Sequence, residues 1–102
     1  MGAMAVHVVL YREEGQVVAH CLEFDLVAQG TTSDEAYRNL LDAIELQADF
    51  TQATGDLENL IQLAPVEYWQ MLAKAEPYAP KADGWFLPGF VSHVDCAGSV
   101  PV

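Results

Sequence analysis

Two β-branched runs lie nearly back to back at the start of the chain, and they constrain the fold more than any other feature. Residues 5–11 read AVHVVLY and residues 16–22 read QVVAHCL, separated by Arg12-Glu13-Glu14-Gly15. Valine-rich runs of this length suit a pleated, half-buried surface. A short polar connection ending in glycine joins them as a β-hairpin, with Gly15 taking positive φ. Residues 24–29 (FDLVAQ) alternate Phe24, Leu26 and Ala28 against Asp25, Val27 and Gln29, the period of a third strand with one buried face. Three strands this close in sequence predict a mostly antiparallel meander.

Gly30 breaks the third strand, and Thr31-Thr32-Ser33-Asp34-Glu35 opens a helix. Thr32 and Glu35 have capping-box spacing: the threonine hydroxyl accepts from the Glu35 N–H, and the Glu35 carboxylate is expected to reach back to the Thr32 N–H. Ala36, Tyr37, Leu40, Leu41, Ile44 and Ala48 recur at helical spacing, which predicts a helix from residue 33 to about 52 with Gly55 as its stop. Residues 56–63 read as a helical turn or a short connection. Pro65 is expected to open a second helix that runs to about residue 75 and places Val66, Trp69 and Leu72 on one face. Trp69 is expected to pack on the body. Pro77 and Pro80 end this helix.

From Lys81 onward the chain is rich in glycine and proline. Trp85-Phe86-Leu87 reads as a late strand or an anchor packed on the body. Trp85, Phe86 and Phe90, large apolar groups outside a regular element, must fold back or dock on another chain, and a sister subunit is the preferred host. Residues 92–102 are the stretch expected to fray.

With 102 residues the chain is sized for one domain, and 52% hydrophobic residues provide for a true core. The net charge of −11 comes from 15 acidic residues against 4 Lys+Arg. Those cations (Arg12, Arg38, Lys74 and Lys81) are scattered, so direct binding to DNA or RNA, which needs clustered positive charge against phosphates, is not expected. A basic protein is the natural complement of so negative a surface. The two cysteines, Cys21 and Cys96, do not make a disulfide framework, and no apolar run approaches the ~18 residues of a membrane span, which together predict a cytoplasmic protein that does not enter the membrane.

Residues 18–44, VAHCLEFDLVAQGTTSDEAYRNLLDAI, resemble the signature of the HicB antitoxin-like family. The elements that carry the resemblance are Cys21-Leu22-Glu23, Gln29-Gly30, Thr32, Glu35-Ala36, and Asn39-Leu40 with Ala43-Ile44, in one order at fixed offsets. Ala64-Pro65-Val66-Glu67-Tyr68-Trp69 resembles a segment of stand-alone members, so the likeness covers roughly residues 5–76. The resemblance implies a partial RNase H-like fold: a three-stranded meander with a helix packed across it, often followed by another strand. It also implies a partner, a small basic HicA-like toxin that cleaves mRNA and whose active site the antitoxin covers, and it implies oligomers. Many full antitoxins carry a DNA-binding domain. Here the chain after Glu76 has no basic recognition helix, so repression through DNA is not expected.

Four constellations bear on chemistry. Glu23, Asp25, Asp34 and Glu35 are the carboxylates that a two-metal nuclease on such a fold would need. Asp34 and Glu35 already suit a helix start, however, and no lysine or arginine adjoins them to hold a phosphate. His20, Cys21, His93 and Cys96 are zinc-ligand types, but His20 and Cys21 are adjacent on a strand and should point to opposite faces. Cys21 is therefore expected as a small core residue and His20 as a partly exposed one. Cys21 can act as a nucleophile only if the hairpin register brings His7 beside it. Tyr68, Trp69, Met71 and Leu72 form either a binding surface or the packed face of an amphipathic helix.

The sequence thus predicts a single α+β domain over residues 1–102: an antiparallel three-stranded meander under a long helix, a second short helix and a C-terminal arm over 77–102. It has no expected catalytic residues, metal or cofactor. Glu23, Asp25 and Asp34 are the expected partner-binding residues, pairing with a partner's lysines and arginines. The alternatives are a homo-oligomer of structural or small-molecule-binding role and a metal-dependent nuclease.

Overall fold

The structure is a computed structural model that describes residues 4–55, 61–79 and 91–98. The hairpin forms as the valine runs require. β1 (Met4–Glu13) pairs antiparallel with β2 (Gln16–Cys21) from Val8↔Cys21 to Glu13↔Gln16. Glu14 (φ 51) and Gly15 (φ 80) form the two-residue turn, the positive-φ pair that matches the twist of a tight hairpin. β3 (Leu26–Gly30) pairs antiparallel with β2. It starts two residues later than the alternation predicts, because residues 22–25 form a turn that sends the Phe24 side chain into the core.

The sheet does not stop at three strands. β5 (Val91–Gly98) lies parallel to β1, and the two-residue β4 (Glu76–Pro77) lies antiparallel to β5, which gives the order β3-β2-β1-β5-β4. The meander is thus part of a five-stranded mixed sheet, and residues 92–98, expected to fray, are paired with β1 over most of its length. The cause is non-local: β2 uses only one hydrogen-bonding edge of β1, and β5 satisfies the other. The strand or anchor expected at Trp85-Phe86-Leu87, and the docking of Trp85, Phe86 and Phe90, lie outside the described residues.

The long helix α1 (Ser33–Thr54) packs across β2 and β3. Its six predicted apolar positions, Ala36, Tyr37, Leu40, Leu41, Ile44 and Ala48, are all buried. Ala36, Tyr37, Leu40, Leu41 and Ile44 meet Val6, Val8, Leu10, Val17, Ala19 and Cys21 from one face of the sheet. Each fully buried Leu, Ile or Val contributes roughly 1.5–3 kcal/mol relative to exposure. The helix start is capped as the spacing requires on one side, with the Glu35 N–H donating to Thr32 Oγ1 at 3.1 Å. The return contact goes one residue further than expected: the Thr31 N–H, not that of Thr32, donates to Glu35 Oε1 at 3.0 Å.

The opposite face of the sheet carries a second apolar cluster of Val9, Tyr11, Val18, Leu22 and Ala64. The short helix α2 (Val66–Lys74), with Pro65 at its cap position, covers it through half-buried Tyr68, Trp69, Met71 and Leu72. The sheet is therefore sandwiched between two helices. No described helix is long and apolar enough to cross a membrane.

Gly30 sets how closely α1 can approach β3. A Cβ on Gly30 would lie 2.5 Å from the Ala36 backbone nitrogen, contact with rigid backbone and not with a movable side chain. Gly30→Ala is therefore expected to destabilise the protein by about 1–3 kcal/mol through overpacking, read as a lowered urea midpoint with an unchanged m-value. An unchanged midpoint would show that the helix can shift away without cost.

Candidate functional site

The three carboxylates expected at a partner surface do not form one patch. Glu23 and Asp25 sit in the turn between β2 and β3, and Asp34 sits in the first turn of α1 at the other end of β3. A five-residue strand, spanning about 17 Å, separates the two ends. Each carboxylate also has a partner inside the molecule. Glu23, expected to face solvent or a partner, is buried: Oε1 accepts from the His7 backbone N–H at 2.7 Å, and Oε2 lies 2.6 Å from His7 Nδ1. Asp25 is exposed and left-handed (φ 50), a conformation that aspartate tolerates. Its Oδ1 lies 2.7 Å from His20 Nε2. Asp34 accepts a hydrogen bond from the Tyr78 hydroxyl at 2.9 Å.

Two histidine–carboxylate pairs thus lie side by side on the α2 face of the sheet, and α2 roofs both. His7 has Glu23 at Nδ1, Asp95 Oδ2 3.6 Å from Nε2, and the Trp69 ring centroid 6.0 Å away. His20, expected to be partly exposed, is 3% exposed because Tyr68 of α2 lies over it at 4.5 Å between centroids. A carboxylate can only accept, so His20 Nε2 donates to Asp25, and Nδ1 accepts from the Tyr11 hydroxyl at 3.1 Å. Burial raises the Tyr11 phenol well above its ordinary pKa, with neighbouring Tyr68 adding to the rise, so it stays a donor. Tyr68 also stacks on Tyr11 at 5.7 Å. Both ring nitrogens of His20 are engaged, which leaves none of its lone pairs open to a substrate.

The cysteines lie on the other face. The register Val8↔Cys21 puts Cys21 on the side of Val8, in the α1 core, while His7 points to α2. The register in which His7 approaches Cys21 does not occur. Burial pushes the Cys21 thiol up to about 12, and burial together with Asp34 pushes Cys96 up to about 12. Neither is a thiolate near neutral pH. His20 and Cys21 do point to opposite faces. Among the described residues no three His, Cys, Asp or Glu side chains are placed to hold a metal ion. The His93 side chain lies outside the described ones.

A cleft of about 290 Å³ opens beside the start of α1, lined by Arg12, Val17, Thr31, Thr32, Ser33, Asp34 and Tyr78. Its chemistry is poor for a phosphate. The capping contacts already use the Thr31 and Glu35 amides, and the Asp34 and Glu35 carboxylates fill the positive end of the helix dipole.

Sequence reasoning missed the pairings of His7 with Glu23 and of His20 with Asp25. The available signal was the His-x-x-x-x-Asp spacing from His20 to Asp25 across a predicted turn. Glu23→Ala should leave the His7 N–H and Nδ1 without their carboxylate and cost about 1–3 kcal/mol in chemical unfolding, whereas a surface glutamate such as Glu14 should change little when replaced. Both thiols should resist a disulfide reagent at pH 8 in the folded protein and react fully on unfolding. Because their folded pKa values are raised from 9.0 to about 12, the stability they contribute is present below pH 9 and is lost as pH rises toward 12. Rapid native-state labelling at pH 8 would contradict that assignment.

No family model, no curated protein and no solved structure matches this chain.

Proposed function

We propose that this chain is a non-catalytic protein-binding module of the HicB antitoxin-like kind, with a partial RNase H-like architecture, and that it sequesters a small basic HicA-like toxin that cleaves mRNA. The observation that carries the reading is the state of its reactive groups taken with its charge. His20 has both ring nitrogens engaged, His7 has a carboxylate on each side, and the cysteines are held as thiols. The chain nevertheless carries a net charge of −11. A molecule of that kind works by complementing a positive surface, which speeds association and selects partners. The meander with a helix across it, continued by further strands beyond β1, supports the architectural part of the reading. Of the nominated residues, Asp25 and Asp34 keep partial access to a partner, and Glu23 acts from within by orienting His7 and the turn.

A second reading, a stand-alone homo-oligomer, is favoured by Leu46 and Phe50 on α1, which are 71% and 65% exposed.

Co-expression with a small basic HicA-like toxin tests the proposal. The two products should copurify, the complex should weaken as salt rises, and RNA cleavage by the basic protein should stop on binding. RNA cleavage by this chain alone with Mg²⁺ or Mn²⁺, abolished by Asp25→Ala, would overturn it. A self-assembled oligomer with no affinity for the basic protein would favour the second reading.

A further inference from the structure

The two edges of the sheet are built differently. The β4 edge has two residues, Glu76 and Pro77, and the next N–H, of Tyr78, already donates to the Cys96 carbonyl. A very short edge strand with a proline and a charge cannot template another strand. The β3 edge has none of these protections. Its five residues, LVAQG, carry no charge and no proline, and the register with β2 is unbroken from Val17↔Gly30 to Cys21↔Leu26.

Two observations fix which β3 groups face outward. The Leu22 N–H donates to the His7 carbonyl, which makes His7↔Leu22 a hydrogen-bonded pair. By the alternation of an antiparallel ladder, Val18 and His20 then bond to β1, and Val17, Ala19 and Cys21 bond to β3. Leu26, Ala28 and Gly30 are therefore used by β2, and the N–H and C=O groups of Val27 and Gln29 point away from the sheet. Independently, the Asn39 side chain donates to the outward Gln29 carbonyl at 2.8 Å. That contact also shows which side of α1 overhangs the edge. At about 100° per residue, Glu35, Asp42, Leu46 and Phe50 lie within about 60° of Asn39 on the helix. Leu46 is 71% and Phe50 65% exposed, and Val27 is 53% exposed on the opposite side of the strand. Glu35, Asp42 and Asp25 around this edge are also exposed.

We infer that the β3 edge, with the overhanging stripe of α1, is a strand-addition site for an extended basic segment of the partner. The inference rests on the binding-module reading above. An incoming strand would exchange main-chain hydrogen bonds with Val27 and accept from the Gln29 N–H, whose carbonyl is shared with Asn39, set its apolar side chains beside Val27 on one face, and bring lysine or arginine to Asp42 and Glu35 on the α1 face. Charge selects this occupant over a second copy, which would bring Asp25, Glu35 and Asp42 against like charges on a chain of net −11.

The test is amide-resolved NMR of the full chain, titrated with a synthetic peptide of about eight residues that alternates lysine or arginine with valine or isoleucine. A second peptide of the same sequence is N-methylated at alternate residues. The Val27 and Gln29 amides should shift with the first peptide and not with the second, and Asp42→Lys should weaken binding about tenfold. Val27→Pro should abolish the shifts, and the methylated peptide gives the same answer if that variant fails to fold. Binding that leaves Val27 and Gln29 unmoved would overturn the inference while leaving the binding reading intact. No binding of either peptide, together with no binding of a HicA-like toxin, would overturn both. Shifts at Val27 and Gln29 that follow the protein's own concentration would assign the edge to a second copy and overturn the basic-strand inference.

Discussion

Between Val8 and Leu10, β1 is paired on both edges and buried on both faces, and the rest of the structure is arranged around that condition. β2 pairs with it on one side and β5 on the other. Val6, Val8 and Leu10 meet α1, while Val9 and Tyr11 meet the cluster under α2. A strand with no solvent side cannot alternate polar with apolar residues, which is why AVHVVLY is nearly continuous in its apolar character. The exception, His7, must then be satisfied within the protein. Glu23 does this with two hydrogen bonds, one to the ring and one to the backbone N–H. The turn at residues 22–25 is thus tied to the middle of the sheet by the polar demand of β1, and its second carboxylate, Asp25, serves His20 in the same way.

This accounts for part of the acidic composition. Glu23, Asp25, Asp34 and Glu35 all hold an internal hydrogen bond, so they are structural groups before they are surface charges. It also explains the role of α2. The helix has no fully buried residue of its own, yet it completes the burial of His20 and screens His7 through Tyr68 and Trp69. Trp69 is anchored in turn by donating to the Ala64 carbonyl at 3.1 Å. Half-buried aromatic contacts make a weaker attachment than the fully buried apolar seam of α1, so α2 belongs to the part of the fold that opens at lower cost.

What could be read from sequence follows the range of the forces involved. The hairpin turn, the Thr32 hydroxyl half of the helix cap and the apolar face of α1 depend on residues within a few positions of one another, and all three are legible in the chain. β5 is not. VSHVDCAG has glycine, serine and no clean alternation, and its strand conformation comes from the unpaired edge of β1, more than eighty residues earlier in the chain. The burial of His20 and Glu23 was hidden for the same reason, since it depends on Tyr68 from a separate helix and on the His7 register. The identities of Glu23, Asp25 and Asp34 as notable carboxylates could be read from sequence. Their internal partners could not, because each bond joins residues that only the folded sheet brings together.

The addition of β5 also gives the sheet a direction. With three strands alone, β1 would be an edge presenting the outward groups of Val6, Val8 and Leu10 to solvent. β5 covers that row, and β4, with its proline, caps the end of the new edge at Ala97 and Gly98. At the far end, the outer side of β3 pairs with no described strand. The two helices divide along the same line: α2 packs on β1, over the closed part, and α1 packs on β2 and β3 and sends Asn39 over the open one. An edge left unprotected by charge, proline or bulge is costly to a soluble protein because it invites indiscriminate pairing. The acidic side chains of Asp25, Glu35 and Asp42 limit that risk by repelling acidic strands, including the chain's own, while leaving cationic ones free to approach.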